Sequence, residues 1–186
     1  MTDATAKPRP TKERLIRAAA SLFPTRGYNG VGLNDLLAAA QAPKGSLYHH
    51  FPNGKSDLAL AAATWASDSM LRIIAESFAD APDFKEGATT LCYKLAKLFD
   101  KANKWEGCPI SATLFEGPEN TDFLVHTRRL YDGWIGEVRD HAERFGLTDE
   151  EALKKSEHMF ILLQGGWMLA RARRDPDIIR NLPNLL

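Results

Sequence analysis

Residues 27–58 read GYNGVGLNDLLAAAQAPKGSLYHHFPNGKSDL, and this stretch decides the fold. A short helix-forming run, Leu33 to Ala40, meets a three-residue break and then a second run, Lys44 to His50. Two short helices across so tight a break spell a helix-turn-helix. The second run is too polar for a core, because Lys44, Ser46, Tyr48, His49 and His50 all carry hydrogen-bonding groups. Leu47 and Phe51, four residues apart, give it a single anchoring face. A helix anchored on one side and donor-rich on the other suits a DNA major groove.

Within that helix the first turn approaches base edges most closely, and it holds Lys44 and Ser46, with Pro43 a natural first helical residue. Lys44 is the candidate base reader, with guanine its target. Gly45 lets the backbone come close. Tyr48 and His49 lie in reach of phosphate, and Lys55, opening the next helix, is placed to hold the DNA backbone. His50 reads as packed or solvated.

The formal net charge of +0 at first argues against a nucleic-acid binder. Its distribution reverses that. Through residue 60, eight basic residues stand against four acidic ones, a net of +4, and the rest of the chain carries sixteen against twenty, a net of −4. A basic head on an acidic body is the asymmetry expected when one end meets phosphate. At 186 residues the chain holds one sizeable core, or a small and a medium domain. No stretch reads as long and apolar enough to span a membrane. Residues 1–10 read as a disordered, proline-broken arm without a secretion signal. Cys92 and Cys108 make no CxxC pair and no disulfide framework, so a cytoplasmic location is expected. Cys108, between Gly107 and Pro109, reads as a small buried hydrophobe, with a redox switch as the alternative.

Strand signals are almost absent, which predicts an all-α chain. Thr11 caps a first helix carrying Leu15, Ala18, Ala19, Leu22 and Phe23 on one face, closed by Pro24 and Gly27. After Pro52-Asn53-Gly54 comes a long fourth helix, roughly 55–79, with no internal breaker to loosen head from body. A fifth follows over about 84–104, then a Gly107-Cys108-Pro109 break and a short helix near 111–116. Two long helices, about 121–145 and 148–174, are joined by a turn at Gly146-Leu147 short enough to make them antiparallel. Thr148 and Glu151 have capping-box spacing, and Asp175-Pro176 stops the last long helix. Domains are expected at 1–54, the DNA-binding head, and 55–186, the body.

That last long helix is apolar around most of its girth. Phe160, Leu163, Trp167 and Ala170 make one stripe, and Met159, Leu162, Gly166 and Leu169 a second. In so small a protein the second face predicts another subunit. Gly165 and Gly166 each cost about 1 kcal/mol in a helix interior, which close approach of a partner backbone explains. The dimer interface is therefore placed at Leu162, Gly165, Gly166 and Leu169. Aromatics are scattered over the body beyond what a small helical core needs. Trp105, Phe115, Trp134 and Trp167, with Cys108, are the candidates for a ligand cavity.

Asp35-Leu36, then Lys44-Gly45-Ser46-Leu47-Tyr48-His49-His50-Phe51 and Lys55, resemble the DNA-binding signature of the TetR family of transcriptional regulators. The wording from Ala42 to Lys55, with Gly107-Cys108-Pro109-Ile110 and Arg171-Ala172-Arg173, is similar to the LmrA/YxaF-like subgroup. The resemblance implies an operator-binding head, phosphate contacts by Tyr48 and His49, a four-helix dimer interface from the two long helices, and an effector cavity framed by helices from the fourth onward. Three positions depart from the family pattern. Gly32 stands where a Thr or Ser usually caps the second helix, removing one phosphate-binding hydroxyl; Gln41 replaces a turn glycine; Pro24 is expected to shorten the first helix.

Catalytic and metal motifs are missing from the sequence. His126, His141 and His158 do not pair at helical spacing, and there is no HExxH, phosphate-cradling loop or nucleophile elbow. Glu116 and Glu119 flank Gly117-Pro118 in a solvated loop. The expectation is a homodimeric repressor, not an enzyme, without metal or cofactor, released from a near-palindromic operator by a small apolar or aromatic effector. Control by a partner protein or by oxidation of Cys108 is the alternative, and an enzyme on the same fold a remote one.

Overall fold

Apolar periodicity resolves into nine α-helices and one 3-10 turn among the described residues, and no strand. The computed structural model describes residues 9–102, 107–115 and 121–186. The helices are α1 Thr11–Arg26, α2 Leu33–Ala40, α3 Lys44–His50, α4 Lys55–Phe78 and α5 Phe84–Lys101. They continue as α6 Ser111–Leu114, α7 Thr121–Arg144, α8 Asp149–Arg173 and α9 Asp177–Arg180, and a 3-10 turn follows at Leu182–Leu185.

In the head, Leu15, Ala19 and Phe23 of α1 bury the predicted face against α2 and α4. Two details differ from expectation. Thr11 is the first helical residue rather than the cap, which is Pro10, and its Oγ1 accepts from Arg14 Nη2 at 3.3 Å. Pro24 lies inside the last turn without ending it. The backbone ladder resumes past the one bond proline cannot make, with Gly27 N–H donating to the Phe23 carbonyl at 2.8 Å. Gly27, at φ 71°, closes the helix.

Gly32 has no side chain to cap α2, and Asp35 compensates from inside the first turn. Its Oδ2 accepts from Gly32 N–H at 3.1 Å and from Arg26 Nη2 at 2.8 Å. Those two bonds, the Gly32 N–H first and then the guanidinium, hold the Asp35 carboxyl below the usual range. Gln41 takes φ 49°, the left-handed conformation that a glycine would adopt without strain.

The fourth helix is the one exception to the expectation about membranes. It spans 24 residues and contains an 18-residue window of mean hydropathy 1.2, long and apolar enough by composition to cross a bilayer. Alanines raise that mean, and they serve here as small packing surfaces: Ala59, Ala62 and Ala63 are buried where α4 meets its neighbours α1, α5 and α7.

The turn between α7 and α8 is capped as its spacing predicts: Thr148 N–H donates to Glu151 Oε2 at 2.9 Å and Glu151 N–H to Thr148 Oγ1 at 3.4 Å. The C-terminal α9 and 3-10 turn fold back over α5 and α8. This return corrects one expectation. Gly166 faces Leu182 of its own chain, and a Cβ there would lie 2.8 Å from Leu182 Cδ1. A larger residue there would have to displace the Leu182 side chain of the same protomer. At Gly165, one position earlier, an added Cβ would meet open space.

Candidate nucleic-acid interface and ligand cavity

The recognition-helix candidate hangs from two buried anchors, Leu47 and Phe51. Opposite them Lys44, Gly45, Tyr48 and His49 form an exposed face, while Ser46 is half-buried. Gly45 has no atom within 4 Å of where a Cβ would stand, so nothing in its own chain demands glycine there. Tyr48 is 48% exposed. Asp57 pins the turn that follows, accepting from Asn53 N–H at 2.9 Å and from Asn53 Nδ2 at 3.1 Å. The start of α4 is thereby fixed against the end of α3.

Lys55 is half-buried, and its Nζ sits 4.2 Å from the centroid of the Tyr28 ring. The Tyr28 ring in turn meets Phe123 of α7 edge-on at 5.3 Å and Phe23 of α1 at 5.7 Å. A candidate phosphate contact thus rests on an aromatic cluster that reaches into the body. Nothing in the helix-turn-helix pattern announces this role for Tyr28.

Inside the body lies a cavity of about 70 Å³. Helices α4 and α5 supply Met70, Ile74, Leu91 and Leu95, and α7 supplies Trp134 and Val138. Phe160, Leu163 and Trp167 of α8 line it too, as do Cys108 and Pro109 before α6. Among the described residues, no charged side chain lines it. The Trp134 indole is fixed by donating to Ser67 Oγ at 2.8 Å, deep in the core. Burial pushes the neighbouring Tyr131 phenol well up, and its hydroxyl lies 3.7 Å from Cys108 Sγ.

Of the five cavity candidates, Cys108, Trp134 and Trp167 come together. Phe115 does not. It is 55% exposed and touches Tyr131 edge-on from outside, because α6 ends at Leu114 and turns it to solvent. Trp105 lies outside the described residues, as do Glu116 and Glu119. Cys92, buried in α5, has its thiol pushed up to about 12 by desolvation and is a core residue. Gln164, which sequence reasoning passed over, also lines the cavity. Its signal was a lone amide between Leu163 and Trp167 in an apolar run.

The outer side of α8 carries Ile161 (65% exposed), Met168 (71%) and Leu169, with Gly165 between them. Alongside, at the start of α7, are Leu124 and Val125, 58% and 63% exposed. Leu162 is half-buried.

A family model described as bacterial regulatory proteins, tetR family, matches residues 15–62, and one described as the LmrA/YxaF-like transcriptional regulator C-terminal domain matches residues 85–184. The chain belongs to the TetR family. It is a DNA-binding transcriptional regulator of the LmrA/YxaF-like group. The HTH-type regulator YxaF of Bacillus subtilis is 29% identical over 166 residues, 89% of this chain and 87% of that protein. Its counterpart LmrA from the same organism is 29% identical over 161 residues, 86% of each chain. A TetR regulator from Legionella pneumophila shares the fold at a TM-score of 0.81 and 20% identity over 97% of both chains. A cysteine mutant of the TetR-family regulator CifR, solved with 26-bp double-stranded operator DNA, matches at a TM-score of 0.77 and 21% identity over 96% of both chains.

Proposed function

We propose that this TetR-family regulator is a homodimeric repressor whose operator affinity falls when a neutral, largely apolar ring compound fills the body cavity. The observation that carries the proposal is the cavity lining: two indoles, Phe160 and a shell of aliphatic side chains, with no charged group among the described residues. A strong anion or cation would be desolvated there without a partner, at a cost of several kcal/mol. The head, 1–54, reads DNA through Lys44, with Gly45 permitting close approach and Ser46, Tyr48 and His49 on phosphate, and Lys55, the first residue of the body, adds a further phosphate contact. The body, 55–186, senses the compound.

Dimerisation is supported by the apolar outer face of α7 and α8. Ile161, Met168, Leu124 and Val125 are costly to leave in water, and a two-fold copy covers such a patch with itself. A two-fold dimer also matches the symmetry of a near-palindromic operator.

Titration of the full-length protein with neutral ring compounds, following tryptophan fluorescence and operator affinity together, tests the proposal. A compound that quenches Trp134 and Trp167 should weaken operator binding, and DNA must weaken the compound by the same factor. Quenching with unchanged operator affinity would overturn it.

A further inference from the structure

Among the described residues, Ser156 and Trp134 on the cavity wall spend their polar groups within the protein. Ser156 Oγ donates to the Leu153 carbonyl at 2.8 Å, and Trp134 Nε1 to Ser67. Gln164 differs. Its Nε2 reaches only Cys108 Sγ, at 3.9 Å, a long contact to a weak acceptor, and its Oε1 has no hydrogen-bond partner among the described residues. Gln164 is half-buried, so its amide is open to a guest, and an apolar side chain of the same length would fill the same wall beside Phe160, Leu163 and Trp167.

We propose that Gln164 is the specificity-determining residue of the cavity, and that it selects ring compounds bearing a hydroxyl or carbonyl oxygen. The inference rests on the effector reading above and adds the polar group that the effector must carry. With Nε2 donating and Oε1 accepting, the amide can serve a carbonyl oxygen through one atom or a hydroxyl through both. The remaining walls offer shape and apolar contact. The oxygen-bearing end of the ligand then lies beside Cys108, whose neighbour Gly107 bonds to the head.

Calorimetric titration of the full-length wild type, Gln164→Met and Gln164→Leu with indane and with 1-indanone tests this, because the two probes share a ring frame and differ in one carbonyl. Both variants should weaken 1-indanone about fivefold to tenfold, the range of one net hydrogen bond, and leave indane unchanged or tighter. Loss of affinity for both probes by the same factor would overturn the role of Gln164 while leaving the cavity reading intact. Failure of wild type to bind either probe at millimolar concentration would remove the cavity reading, and this proposal with it. Thermal unfolding at wild-type midpoint in either variant ties the effect to binding.

Discussion

The backbone N–H of Gly107 donates to the carbonyl of Pro24 at 3.0 Å, joining the segment before α6 to the last turn of α1. That carbonyl is one of the four a helix leaves without an internal partner at its C-terminus. Gly107 meets it at the expense of any side chain: a Cβ there would stand 3.3 Å from the Pro24 oxygen and 3.1 Å from Ala112 Cβ. The next two residues, Cys108 and Pro109, face the cavity. Under the proposed effector reading, a ligand that displaces them would act on the DNA-binding head through this bond as well as through α4.

Gly107→Val should therefore uncouple sensing from release. Ligand affinity is expected to stay within a fewfold of wild type, while the ratio of operator affinities without and with ligand falls toward one. Allosteric coupling of about 1–3 kcal/mol, the usual range, leaves room to see the loss. A variant with the wild-type ratio would show that the signal bypasses residue 107.

Lys44→Ala and Lys55→Ala should separate base reading from phosphate holding. Lys55→Ala is expected to weaken specific and random DNA alike and flatten the salt slope by about one unit. It also removes the cation from the Tyr28 ring, lowering stability by about 0.5–1 kcal/mol. Lys44→Ala should reduce discrimination between sequences and leave the unfolding midpoint where it was. Filter binding across a salt series distinguishes the two, and equal losses on all DNA would disqualify Lys44 as a base reader.

The adjacent glycines of α8 predict opposite phenotypes. Gly166→Leu collides with Leu182 inside the protomer, and overpacking of this kind costs about 1–3 kcal/mol. At Gly165 an added Cβ has nothing within 4 Å, so Gly165→Leu should change dimer dissociation without unfolding the protomer. Sedimentation and thermal unfolding of both variants check this. A Gly165→Leu protein with unaltered self-association would move the interface elsewhere.

His126 bridges α7 and α4 as a neutral imidazole. The Thr64 hydroxyl spends its proton on the Leu60 carbonyl at 2.9 Å, so His126 Nε2 donates to Thr64 Oγ1 at 2.9 Å and Nδ1 accepts from Arg129 at 3.2 Å. Burial first, and then Arg129, push the His126 pKa below 6.5. Because the folded value is depressed, this contribution to stability is present above the unfolded value and is lost as pH falls through the folded one. Thermal midpoints measured between about pH 5 and 8 should fall on the acid side in wild type. In His126→Gln that slope should flatten; an unchanged slope would assign it to other groups.

The head was legible in the sequence because its signals are local. Lys44 to Phe51 announces its own anchors and its own exposed face, and Thr148 with Glu151 announces a helix start. Long-range contacts were not legible. Pro24 was expected to end α1, and only the backward bond from Gly27 to Phe23 shows why it does not. Gly166 was assigned to a partner because periodicity on α8 cannot reveal that the chain's own C-terminus returns to cover it. Gln164 was missed for the same reason: its free amide has meaning only beside Cys108, fifty-six residues away.

Selection of random DNA duplexes by the full-length protein tests the central claim most directly, with Lys44→Ala run in parallel. The account predicts enrichment of a near-palindrome whose half-sites present successive major grooves, about 34–36 Å apart, and loss of that enrichment in the variant. A folded wild type that enriches no sequence, or one without two-fold symmetry, would contradict it.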